Sequence, residues 1–274
     1  MLSKNLALEF QQLHQGPRLF VLPNAWDAIS AKIFEKIGFP AIGTTSAGIA
    51  FSHGYRDGQH IPPCVMVSAV QQIAEAVELG ISADIESGYG TTPAQITHWV
   101  QKFVAAGAVG INLEDTKDQI SKTLFSVEQQ CAKIAAIREA ISTPIVINAR
   151  TDTYWLNSSN SHSQFEETIR RANAYREAGA DCLFIPGVQD SRIISNLVSA
   201  INGPINILVG PQTPPIQALQ SLGVIRVSLG SGPIRAAFGL VQKIGEEIYH
   251  KGIFDHLTSH QIPYDTMNQF FRQV

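Results

Sequence analysis

Along the chain, short apolar runs alternate with amphipathic stretches almost from end to end. The apolar runs are Leu19–Leu22, Ala41–Thr44, Ile81–Ile85, Val109–Leu113, Ile145–Ala149, Cys182–Ile185, Ile205–Val209 and Ile225–Leu229. They are continuously apolar rather than alternating, which is how parallel strands covered on both faces read. The stretches between them carry helix-start chemistry. Thr92-Pro93-Ala94-Gln95 combines an N-cap, a first-turn proline and a capping-box glutamine. Ser126-Val127-Glu128-Gln129 and Ser163-Gln164-Phe165-Glu166 are further capping boxes. After Ser126, residues Val127, Cys131, Ile134 and Ile141 fall on one helical face. Eight β/α units with no low-complexity linker predict an α/β fold, a closed (β/α)8 TIM-type barrel of parallel strands forming one domain over residues 1–274. A doubly wound open sheet is the second choice. The tail from Pro233 to Val274 exceeds the final helix that a barrel needs. Its Phe254, Leu257, Ile262, Phe270 and Phe271 predict a C-terminal helical extension that packs on a neighbouring subunit.

Composition changes little in this picture but excludes several functions. A chain of 274 residues, 45% of them hydrophobic, can bury one large core. The net charge is −3, with no Lys/Arg stripe of the kind that nucleic acid requires. No apolar run is long enough to span a membrane, and residues Met1 to Gln15 lack the apolar stretch of a signal peptide. Cys64, Cys131 and Cys182 have no metal-type spacing and read as buried reduced thiols of a cytoplasmic protein. The sequon Asn157-Ser158-Ser159 carries no meaning without secretion. The expected partners are small molecules and further copies of the chain.

The candidate chemistry lies where three of the apolar runs end. Asp84 and Glu86 close the third run, Glu114 and Asp115 the fourth, and Arg150 and Asp152 the fifth. A carboxylate at the tip of a core strand is costly unless a cation pairs with it. In a barrel all strands open their carboxyl ends on one face, so these tips converge. Residues i and i+2 of a strand share a side, which predicts that Asp84 and Glu86 point at one centre. Carboxylates without His or Cys suit a hard ion, and Mg²⁺ fits best because it keeps waters and needs few direct ligands; Mn²⁺ is the substitute. The second run feeds Gly43-Thr44-Thr45-Ser46-Ala47-Gly48 and then Gly54-Tyr55-Arg56-Asp57-Gly58. Small residues there let backbone N–H groups approach an anion. His53 and His60 read as solvated loop residues. Gly230-Ser231-Gly232-Pro233 reads as a helix start, although it resembles a barrel phosphate site. Trp26, Trp99 and Trp155 read as packing residues, with Trp155 alone near the mouth.

Taken in order, Thr44–Gly48, Gly54–Asp57, Asp84–Gly90, Leu113–Asp115, Asn148–Asp152 and Gly223–Gly230 resemble the isocitrate lyase/phosphoenolpyruvate mutase superfamily over nearly the whole chain. The resemblance implies a barrel whose last helix swaps between subunits in a homo-oligomer, a dimer of dimers, and a Mg²⁺-dependent lyase acting on a 2-oxo acid or its enolate. It implies that Asp84 contacts Mg²⁺ directly and that Glu86 and Glu114 reach it through water. Thr45, Ser46 and Ala47 would bind the substrate carboxylate, Thr45 and Ser46 through backbone N–H groups. Asp57 would orient the reacting end or exchange a proton with it, and Arg150 would take the substrate's second acidic group.

The departures narrow the substrate. Lyases of isocitrate and methylisocitrate carry Lys-Lys/Arg-Cys-Gly-His in the loop after the fourth strand. Here that loop, Thr116 to Leu124, has neither Cys nor His. Pro186 stands where the phosphonopyruvate branch has His and the lyases Glu, and Glu86 stands where Asp is usual. The expected reaction is cleavage of a carbon–carbon bond next to a metal-bound enolate in a small 2-oxo or 2-hydroxy dicarboxylate of the oxaloacetate or alkylmalate type. The alternatives are a phosphonopyruvate-type carbon–phosphorus mutase or hydrolase, and a non-catalytic barrel that binds oxo acids. Thr116–Phe125 is expected to act as a lid.

Overall fold

The computed structural model describes residues 2–118, 120–156 and 162–271. The 157–159 sequon lies outside them. Among these residues, nine strands form one parallel sheet. They are β1 (Phe20–Leu22), β2 (Asn24–Ala25), β3 (Ala41–Thr44), β4 (Gly80–Asp84) and β5 (Ala108–Glu114), then, after a small hairpin of β6 (Thr116–Asp118) and β7 (Thr123–Leu124), β8 (Val146–Arg150), β9 (Cys182–Ile185), β10 (Ile205–Leu208) and β11 (Arg226–Ser228). The spatial order is β1-β11-β10-β9-β8-β5-β4-β3-β2. β1 and β2 are consecutive pieces of one extended segment, interrupted at Pro23, which has no N–H to give to a ladder. β1 pairs with β11 and β2 with β3, so the ring closes through that segment. The predicted eight-stranded α/β barrel is therefore present, with its first strand split in two.

Local chemistry sets the helices around the ring. Thr92 caps the helix Pro93–Ala105 in a reciprocal box with Gln95, and Ser126 caps Val127–Ala140 with Gln129. Ser163 sits inside the helix His162–Glu177 rather than at its cap, so the box read there falls in the first turn. Gly88, at φ +104°, has no room for a side chain: a Cβ would lie 2.6 Å from Ile96. The turn after β4 thus packs directly on the helix that follows.

The core runs through the barrel and under the helices, with Ile42, Ile81, Ile111, Ile147, Ile185, Ile207 and Val227 almost completely buried, one from each of seven strands. All seven residues of β5 are buried. The cysteines depart from expectation. Cys182, in β9, is buried, but Cys131 is half-buried and Cys64 exposed, because Cys64 stands in the first turn of the surface helix Pro63–Ala76. All three are free thiols. The helix Gly232–Lys251 starts at Ser231 with Pro233 in its first turn and buries only Ile234 and Glu247. Phe238, Val241, Tyr249, Phe254 and Tyr264 stand exposed along it and the short helices beyond. No helix among the described residues is long and apolar enough to cross a membrane.

Candidate active site

The carboxyl ends of the strands surround a cavity of about 110 Å³. Thr45, Ser46 and Ala47 line it from the end of β3, Asp84 and Glu86 from β4, Glu114 from β5, and Arg150 from β8. Asp57 closes one side from the loop after the helix Ser46–Ser52. Every residue given a metal, substrate or catalytic role by the family resemblance thus borders one space, whereas the strand-tip acids Asp115 and Asp152 do not. Trp155, Phe184 and Leu208 form an apolar wall beside Arg150, whose guanidinium carbon lies 5.9 Å from the Trp155 ring and 5.8 Å from the Phe184 ring.

Each acid is held differently. Asp84 Oδ2 accepts from the Ser46 N–H at 3.1 Å and the Ser46 hydroxyl at 2.8 Å. Glu86 lies past the end of β4, at φ +50°, so its convergence with Asp84 does not come from strand alternation as expected. A left-handed conformation is costly for a side-chain-bearing residue and persists where the surroundings over-determine it. Here the Gln59 N–H donates to Glu86 Oε2 at 2.6 Å and the Tyr89 hydroxyl to Oε1 at 3.0 Å. Glu114 pairs with Arg150 at 2.9 Å, and Arg150 Nε donates to Asp152 at 2.6 Å.

These carboxylates crowd one another. Burial, then Asp57 and Asp84, push the Glu86 pKa up to about 8. Burial raises Glu114 well above the usual carboxylate range, with Arg150 opposing. Asp57 is raised too, by burial and by the Asp84 charge. Burial works against the charge on Arg150, but Asp152 and Glu114 more than compensate and raise its pKa. Arg150 is the only cationic side chain bordering the cavity among the described residues, against Asp57, Asp84, Glu86 and Glu114.

Asp115, adjacent in sequence to Glu114, faces away. It accepts from the Tyr175 hydroxyl at 2.7 Å, Arg171 at 3.1 Å and the Asp152 N–H at 2.9 Å. Thr116 donates to the far oxygen of Asp152. This is a support behind the site.

Among the expected carboxylate donors, Thr45 requires a correction. Its N–H is spent on the Ala25 carbonyl at 3.1 Å, and its hydroxyl caps Gly48. The Ser46 N–H is shared with Asp84, and Ala47 borders the cavity. His53 and His60 stand outside that cavity, although His60 borders a second space of about 320 Å³, which continues from Asp57, Glu86 and Glu114 to Lys117 on the hairpin. Residues absent from the sequence reading also take part. Asn24 stitches the barrel seam, donating to the Thr44 carbonyl and accepting from the N–H groups of Leu229 and Gly230, each at 2.8 Å. Asn112 and Ser228 border the cavity from β5 and β11. Asn24, Asn112 and Ser228 are polar residues inside or beside apolar runs, and that was the available signal.

The donor set fits a hard divalent cation. Among the described residues no three of His, Cys, Asp and Glu close into a ready-made cage. An ion that keeps its waters does not need one. Crowded acids facing one guanidinium need positive charge, and oxygen donors without nitrogen or sulfur favour Mg²⁺.

A parallel (β/α)8 barrel with an acidic pocket at the carboxyl ends of its strands has the form of a barrel enzyme, whose active site lies on that face. The chain belongs to the phosphoenolpyruvate phosphomutase family, whose model matches residues 10–249, within the isocitrate lyase/phosphoenolpyruvate mutase superfamily. It is 29% identical over 231 residues to the 2,3-dimethylmalate lyase of Eubacterium barkeri, covering 80% of this chain and 78% of the relative. A crystal structure from Burkholderia cenocepacia J2315, known only in general terms as a lyase or mutase, superposes with a TM-score of 0.91 at 32% identity, over 99% of this chain and 97% of that one. A phosphonopyruvate hydrolase solved with oxalate and Mg²⁺ superposes with a TM-score of 0.83 at 25% identity, over 96% and 94% of the two chains.

Proposed function

We propose that the protein is a Mg²⁺-dependent lyase that cleaves the carbon–carbon bond next to an enolate in a small 2-oxo or 2-hydroxy dicarboxylate, of the oxaloacetate or alkylmalate type. The observation that carries this reading is the charge balance of the cavity: four carboxylates, one guanidinium and an apolar wall. A divalent ion offsets the excess of carboxylates and can carry one end of a dicarboxylate, whose other end Arg150 can take. Likeness to a dimethylmalate lyase and to a barrel solved with oxalate and Mg²⁺ supports the substrate class.

Asp84 would hold the ion directly, with Glu86 and Glu114 reaching it through water. When bound, Mg²⁺ supplies Lewis-acid stabilisation of the negative charge that develops on the 2-oxygen as the bond breaks. Ser46 and Ala47 would receive the proximal carboxylate, while Thr45, its N–H committed, fixes their turn through the cap on Gly48. Arg150 would bind the distal carboxylate, its plane fixed by Glu114 and Asp152. Asp57, half-buried and raised in pKa, would orient the reacting end or exchange its proton. The exposed apolar residues from Phe238 to Phe271 support assembly of copies of the chain through that extension, as a dimer of dimers.

Likeness to a phosphonopyruvate hydrolase favours a second reading, carbon–phosphorus cleavage or rearrangement at the same site. A lone guanidinium and an apolar wall suit a carboxylate with a carbon substituent better than a phosphonate dianion. Proton and phosphorus NMR with oxaloacetate, alkylmalates and phosphonopyruvate, each with Mg²⁺ and with a chelator, separates them. Metal-dependent product from a carboxylate substrate supports the lyase. Product from phosphonopyruvate alone overturns it. Binding of these acids without turnover of any of them indicates the non-catalytic barrel.

A further inference from the structure

Beneath the acidic mouth, β11 places a guanidinium inside the barrel. Arg226 is fully buried, and its hydrogen-bonding partners are neutral, while the Asp84 carboxylate acts on it through space. Nη2 donates to Asn112 Oδ1 at 3.1 Å, Nη1 faces His14 Nε2 at 3.5 Å, and Nε has no partner. His14 Nδ1 lies 2.8 Å from the Phe10 carbonyl oxygen, which only accepts, so Nδ1 carries the proton and Nε2 offers its lone pair. Burial, then the Arg226 charge, hold the His14 pKa down at about 3, so the ring stays neutral.

This arrangement fixes the amide of Asn112. A guanidinium only donates, so the Asn112 atom that faces Arg226 is the oxygen, independent of how amide atoms are assigned. The same oxygen accepts from Asn148 Nδ2 at 2.7 Å. Its lone pairs are thereby filled. Asn148 presents its nitrogen to do this and leaves its own oxygen buried and unpaired. An unpaired buried acceptor is costly, and here it accompanies one enforced orientation of Asn112. Asn112 pairs in register with Asp84 on one side and Asn148 on the other, and it borders the cavity with Asp84, Glu86 and Glu114. Its nitrogen is the end left for the cavity.

We propose that the Asn112 Nδ2–H group donates to an oxygen of the bound oxo acid, and that Arg226 is the positioning residue that keeps this donor turned toward it. The inference rests on the oxo-acid reading of the cavity. Carboxylates repel a developing oxyanion, so a neutral donor fixed among them adds attraction at no cost of reorganisation.

Oxalate binding in the presence of Mg²⁺, followed by calorimetry, tests this without requiring turnover. Asn112→Asp keeps the shape, turns the donor into an acceptor and gives Arg226 a counter-ion, so the fold is not at risk. Oxalate should bind at least about tenfold more weakly to this variant, with Tm equal to or above that of the wild type. Affinity within twofold of wild type overturns the inference. Arg226→Met removes a buried charge and frees the amide to turn; it should weaken oxalate severalfold, and should add no further loss to Asn112→Leu. A full Arg226→Met loss on top of Asn112→Leu overturns the positioning role. Wild-type protein that binds no oxalate with Mg²⁺ refutes the oxo-acid reading itself. Wild-type binding with Asn112→Asp unaffected refutes only the inference.

Discussion

Glu114 and Asp115 are neighbours in sequence with opposite surroundings. Glu114 belongs to the mouth, where Asp57, Asp84, Glu86 and Glu114 share one guanidinium around a cavity. Asp115 belongs to the support behind it, where Arg171, Tyr175 and the Asp152 N–H satisfy it completely. The mouth is short of positive charge and the support is not. Burying charge without partners is tolerated only where something else completes it, whereas fully partnered charge holds geometry. The mouth therefore reads as function, and the support as the frame that keeps Arg150 and Glu114 in place.

The largest predicted effect separates the two regions outright. Asp84→Ala should lower metal-dependent turnover by about a thousandfold or more while leaving stability unchanged or raised, since it relieves repulsion with Glu86 and Asp57. Rate and thermal unfolding measured on one preparation check both halves, and retained Mg²⁺-dependent activity would break the comparison. Asp115→Ala should do the reverse. It leaves Arg171 with Glu167 as its one carboxylate partner and the Tyr175 hydroxyl without its acceptor, and should cost about 2–3 kcal/mol in denaturant unfolding. A loss of activity with full stability would move Asp115 into the site.

Arg150→Lys should reduce kcat/KM for dicarboxylates by about tenfold to a hundredfold, because an ammonium cannot reproduce the planar fork. Steady-state kinetics should show much less loss with monocarboxylic 2-oxo acids.

A pH series distinguishes the regions more gently. Glu86 binds its proton more tightly in the folded protein, up to a pKa of about 8. The folded state thus holds more protons than the unfolded one between the ordinary glutamate pKa and about 8, and stability of the metal-free protein should fall as pH rises through that window, by on the order of 1 kcal/mol per unit. Mg²⁺ should compete with that proton, so the Tm gain on adding Mg²⁺ should be larger at pH 8 than at pH 5.5. Equal gains would contradict the crowding of the mouth. Smallest is Ser126→Ala, which removes a helix cap away from the cavity and should cost about 1 kcal/mol of stability with no change in rate.

How much of this could be read beforehand depends on whether the signal was local. β9 coincides with its apolar run, Cys182–Ile185, because a strand buried on both faces is apolar throughout. The first strand broke at Pro23, and the sequence did not reveal that its two pieces pair with opposite ends of the sheet. The strand-tip acids were visible as charges ending apolar runs. That Glu114 rather than Asp115 faces the mouth came from the family resemblance alone, because alternate residues point to opposite sides and β5 is buried on both. Asn24, Asn112 and Arg226 went unnoticed because their partners lie across the ring: Asn24 bonds Gly230, and Arg226 bonds Asn112. Thr45 looked free to bind an anion until closure of the barrel committed its N–H to Ala25.

On the lyase reading the mouth carboxylates would hold a divalent cation centred on Asp84. Calorimetric titration of Mg²⁺ into the wild type and Asp84→Ala at pH 8 tests it most directly. One Mg²⁺ should bind per wild-type chain, with binding lost in the variant. Absence of Mg²⁺ binding to the wild type, or equal binding to both proteins, would contradict it.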